Sequence, residues 1–86
     1  MTAKELIDNA VKGAIVLEPQ STFNTALVGV SSDGRLVYSE DKILIALQEK
    51  DGMDYEEALE WYQYNTVRTL DYQKGRYAPI ILTHTL

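Results

Sequence analysis

Apolar positions along the chain repeat with two periods, and the switches between them mark the elements. Leu6, Ile7, Ala10 and Val11 share one face of a helix. Thr2 and Glu5 form a capping box in front of them, and Gly13 is the expected left-handed residue that ends the helix. Residues 14–17 are a short apolar run, expected as a strand, which Pro19, Gln20, Ser21 and Thr22 break. Residues 26–30 and 35–38 are expected as two strands joined through Asp33-Gly34, because glycine tolerates the positive φ that a hairpin turn demands. Gly29 within the first strand suggests a bulge or a close contact.

A helical period comes next. Ser39 is its N-cap, with Glu40 and Asp41 in the first turn, where the helix dipole favours anions. Ile43, Leu44 and Leu47 form the buried stripe, Lys50 lies in the last turn and Gly52 closes the helix. Met53 precedes a second cap, Asp54, which Glu57 completes as a capping box. Tyr55, Ala58, Leu59 and Tyr62 then share a face, with Trp61 on its flank and Asn65 continuing it, in a helix expected to reach about residue 70. Residues 78–83 read as a terminal strand with Pro79 at its start or on an edge.

The order is therefore α-β-β-β-α-α-β: an α+β fold, one small antiparallel or mixed sheet with helices on one face. Eighty-six residues suit a single domain over 1–86: a helix (1–13), strands and hairpin (14–38), a helical hairpin (39–70) and a terminal strand (78–85). A chain this short buries roughly 60% of its unfolded surface, so self-association is expected to add stability.

Charge narrows the function classes. The net charge of −5 is unevenly placed. Residues 40–60 set eight acidic side chains against Lys42 and Lys50, whereas residues 61–86 set Arg68, Lys74 and Arg76 against Asp71. An acidic chain is a poor general nucleic-acid binder, since that affinity comes from cations neutralising phosphates. The basic stretch near the carboxyl end suits one small anion. Cysteine is absent, which removes disulfides, thiolate catalysis and zinc–thiolate sites and fits a cytoplasmic protein. The amino-terminal stretch has no long apolar segment, so no signal peptide is expected, and no apolar run is long enough for a membrane helix.

No catalytic signature emerges. His84, the sole histidine, is expected as a strand residue, and no metal or cofactor set is apparent. Asp51 and Asp54 are turn and cap residues, and Glu56, Glu57 and Glu60 suit a solvated helix face. The glycines form no phosphate-binding fingerprint. Binding candidates remain. Six of the eight aromatics fall between residues 55 and 77, and tyrosine and tryptophan give large contact area at small entropic cost. Arg68, Lys74 and Arg76 suit a phosphate, with Tyr72 and Tyr77 placed to stack on a base; the plainer alternative is a solvated loop. Asn65 reads as a core amide tying a loop to the helix, or as a ligand contact.

The segments Ser21-Thr-Phe-Asn-Thr-Ala-Leu-Val-Gly-Val30 and Gly34-Arg-Leu-Val-Tyr-Ser39, with the D-G-M-x-x-E-E-A-x-E-W-x-x-Y-N run of residues 51–65 and the 78–82 end, resemble a group of small bacteriophage- and prophage-encoded proteins. The resemblance implies a phage accessory protein acting in the host cytoplasm by binding rather than as an enzyme. It carries no catalytic residues. Under it, the expected role is evasion of host immunity: a homo-oligomer that sequesters a nucleotide signal at Asn65, Arg68, Tyr72, Lys74, Arg76 and Tyr77. The alternative is an acidic inhibitor that docks on a host defence protein as a nucleic-acid mimic, and the weakest is a phosphoester-cleaving enzyme.

Overall fold

The hairpin at the centre of the fold is built by a three-residue loop that ends on Gly34, and it sets the register of everything else. The computed structural model describes residues 2–68 and 77–83. Strand β1 (Leu27–Val30) pairs antiparallel with β2 (Leu36–Ser39). The Ser31 carbonyl accepts from Gly34 N–H, and the Ser31 amide donates to the Arg35 carbonyl. Gly34 has φ +85°, and a Cβ there would lie 2.7 Å from the Val11 Cβ. The glycine is thus required by backbone conformation and by close approach together. The register shifts between Leu27 and Gly29, the bulge that Gly29 suggests.

β2 is the central strand. Its other edge pairs in parallel with β3 (Ile80–Leu82), giving a three-stranded mixed sheet in the order β1-β2-β3. A parallel pair needs a crossover, and here it is made of α3 (Glu40–Asp51) and α4 (Tyr55–Trp61). Sequence periodicity anticipates these helices but not their role as a β-α-α-β unit. Leu36, Tyr38, Ile43, Leu47, Phe23 and Ala58 are fully buried between sheet and helices, and Leu6 of α1 (Ala3–Asn9) joins them.

The caps form as their chemistry dictates. Ser39 Oγ accepts from Lys42 N, Gly52 closes α3 at φ +70°, and Asp54 and Glu57 exchange both capping-box bonds. Thr2 and Glu5 do the same for α1.

Several expectations are corrected. α1 ends at Asn9, not Gly13, because Ala10 turns extended; Gly13, at φ +93°, serves the turn beyond. Residues 14–17 form no strand. The Ile15 amide donates to the Tyr77 carbonyl and the Leu17 amide to the Tyr38 hydroxyl, so a phenol and a loop carbonyl stand where a ladder would be. After Pro19 the chain makes a short helix, α2 (Gln20–Phe23), and a 3₁₀ turn at Asn24–Ala26. Tyr55 is half exposed rather than buried: helical side chains lean toward the amino end, so the first residue of α4 points past the helix start. Beyond Trp61, α4 widens into a π-helical stretch, Tyr62–Val67, with Arg68 N–H donating to the Gln63 carbonyl. The expected continuation to about residue 70 lies partly outside the described residues, as does His84.

Candidate functional site

Trp61 stands where three parts of the chain meet. Its ring packs against the buried Phe23, with centroids 5.8 Å apart and planes tilted by 33°. The loop after Pro19 is thereby fixed to α4. A cleft opens on each side of Trp61 and Asn65.

The first cleft, of about 320 Å³, lies between residues 15–18 and the π-helical stretch, where Asn65 and Thr66 face it with Trp61. Two bonds hold its far wall. Ile15 N–H donates to the Tyr77 carbonyl at 3.2 Å, and Leu17 N–H donates to Tyr38 Oη at 3.1 Å. The Val16 amide between them makes no hydrogen bond to another described residue. Glu18 closes one end, its carboxylate accepting from the Gln20 amide and side chain.

The near wall owes its shape to the π-helical turn. A wide turn takes in an extra residue and rotates the side chains beyond it, a distortion frequent at functional sites. Thr66 is turned inward and buried, while Asn65 comes to the surface instead of the core, its amide donating to the Trp61 carbonyl at 3.0 Å. Asn65 is therefore not a core residue, and it lines both clefts.

The second cleft, of about 360 Å³, is lined by Met53, Glu57, Glu60, Trp61, Tyr64 and Asn65. Tyr64 is two-thirds exposed, and the Arg68 guanidinium lies over its ring, 5.8 Å from the centroid.

Of the residues singled out from sequence, Asn65, Arg68 and Tyr77 are described. Tyr77 is half exposed at φ +44°, and its ring approaches Gly13. Tyr72, Lys74 and Arg76 lie outside the described residues. The contributions of residues 15–18 and Thr66 escape sequence reasoning; the apolar run before Pro19 is their one trace, and its composition points to a strand.

Burial raises the pKa of the phenols of Tyr38 and Tyr62, and the neighbouring Glu18 and Glu40 carboxylates push the same way. Both phenols stay neutral as structural ties. Among the described residues, no group of three or more histidine or acidic side chains is placed to hold a metal ion, and no helix is long and apolar enough to cross a membrane. Comparison with protein-family models, with curated proteins and with solved structures finds no match.

Proposed function

We propose that the protein acts by binding a nucleotide in the cleft between residues 15–18 and the π-helical turn. The observation that carries this reading is the cleft's set of partners. The Trp61 ring offers a stacking face and the Val16 amide a hydrogen bond to the edge of a base, with Asn65 lining the same wall. About 320 Å³ is the size of a small-ligand site.

Charge orients the ligand. Glu18 repels phosphate, so the phosphates belong away from it; Arg68 follows Thr66 by two residues, and reaching them requires its guanidinium to leave the Tyr64 ring of the second cleft. Arg68 and Tyr77 also bracket the stretch carrying Tyr72, Lys74 and Arg76, and Tyr77 is bonded to Ile15 of the cleft wall. These are the cations and rings that sequence assigns to phosphate and base. In the phage setting that the resemblance implies, binding would withdraw a nucleotide signal of host immunity, with copies of the chain assembled around it.

Native mass spectrometry of the protein purified from infected or nucleotide-supplemented cells tests this. The expected result is an oligomer carrying a nucleotide mass, absent from an Arg68→Glu variant that melts like the wild type. A ligand-free protein in every such preparation would overturn the reading.

A further inference from the structure

We infer that the second cleft, on the opposite side of Trp61, docks a lysine- or arginine-bearing segment of a partner protein. Its walls are apolar and aromatic: Met53, Trp61 and the exposed Tyr64. Glu57 and Glu60 also line it, and among the described residues no cationic residue does, Arg68 touching it only where its guanidinium lies over the Tyr64 ring. Aromatic faces together with carboxylates recognise a cation on a long alkyl stem. The ring quadrupole and the carboxylates attract the charge, while the walls cover the stem.

The rim charges are available. Glu57 gives Oε1 to the Asp54 amide. Among the described residues the one ion pair joins Asp33 and Arg35, so neither rim carboxylate is neutralised there. Arg68 over Tyr64 is an intramolecular precedent for a guanidinium on this aromatic surface.

The surrounding charge selects the class of partner. Residues 40–60 carry eight acidic side chains against two lysines. Such a field speeds the approach of a basic surface and disfavours an acidic one, including an acidic copy of this chain. The occupant is therefore a basic segment of a different protein. This surface shares Trp61 and Asn65 with the nucleotide cleft, so its test varies Glu60, which lines this cleft alone.

The probe is an oligo-arginine peptide, with oligo-glutamate as the control, and the readout is emission from Trp61, the sole tryptophan. Wild type should bind oligo-arginine saturably. Glu60→Gln should weaken binding about fivefold or more, while Asp8→Asn on α1, the same loss of charge outside the cleft, should change it less than about twofold. Both variants should keep any nucleotide affinity, so failure here is distinguishable from failure of the nucleotide reading. Equal losses in both variants would mean diffuse attraction and would overturn the inference. So would an absence of saturable binding, or an effect of Glu60→Gln on self-association alone, which would assign the cleft to a second copy.

Discussion

The Tyr38 hydroxyl accepts the Leu17 amide across 3.1 Å, and this bond ties the wall of the first cleft to the central strand. Tyr38 is fully buried on β2, so its phenol is fixed and the segment carrying Leu17 takes its position from it. Tyr38→Phe removes the acceptor and keeps the ring. The expected cost is about 1–3 kcal/mol, the penalty of an amide left without a partner. Thermal melting checks the cost. Faster amide exchange at Leu17 distinguishes a lost bond from a general loosening.

Gly34 and Gly52 provide a second comparison. Both have positive φ, but only Gly34 has a neighbour within reach of a Cβ. Gly52→Ala should cost about 1–2 kcal/mol for the left-handed conformation alone, and Gly52→Val somewhat more. Gly34→Ala should cost clearly more than Gly52→Ala, because the new methyl also displaces Val11 and strains its bond to the Gly34 carbonyl. Equal melting temperatures for the two alanine variants would contradict the close packing of the hairpin on Val11.

The buried phenols predict alkaline lability. Burial raises the folded-state pKa of Tyr38 and Tyr62 above that of an unfolded tyrosine. A phenol ionises by losing a proton, so above pH about 10 the unfolded chain holds fewer protons than the native one. The stability these groups contribute is whole below that pH and falls as pH rises, by up to about 1.4 kcal/mol per pH unit for each phenol. Urea melts at pH about 8 and above about 10 should show the loss. Tyr62→Phe should flatten it, and a slope unchanged in that variant would contradict the assignment.

Local chemistry was legible in the sequence where a few neighbouring residues decide it. The Asp54/Glu57 box, the Ser39 cap, the Gly52 stop and the Gly29 bulge all form. The α+β class and three of the four expected strands were readable from the spacing of apolar runs, while antiparallel and mixed pairing both stayed open. The features that could not be read depended on partners distant in sequence. Residues 14–17 have a strand's composition but meet Tyr38 and Tyr77 instead of a strand. The π-helical turn has no compositional signature, and Asn65 within it lies at the surface instead of on the expected core face. Asn65 was therefore visible as a candidate, while the cleft beside it was not.

Self-association is expected from the small core and from the apolar surface left uncovered. Val28 on β1, Ile45 on α3 and Leu82 on β3 are large apolar side chains, each more than a third exposed. Sedimentation at micromolar concentration should show a species heavier than one chain. A monomer at every concentration would remove the oligomer from the account while leaving the cleft in place.

The most direct measurement is Trp61 emission during titration with mononucleotides and cyclic dinucleotides. Trp61 is the sole tryptophan and lines the cleft, so a stacked base reports itself in the emission of that one ring. The expected result is saturable quenching by at least one nucleotide, with affinity falling about tenfold or more in Arg68→Glu, as the loss of a charge-assisted phosphate bond implies. Asn65→Ala should weaken binding as well, and Glu60→Gln should leave it unchanged. Emission that no nucleotide alters in the folded protein, or quenching that Arg68→Glu and Asn65→Ala leave intact, would contradict nucleotide binding in this cleft.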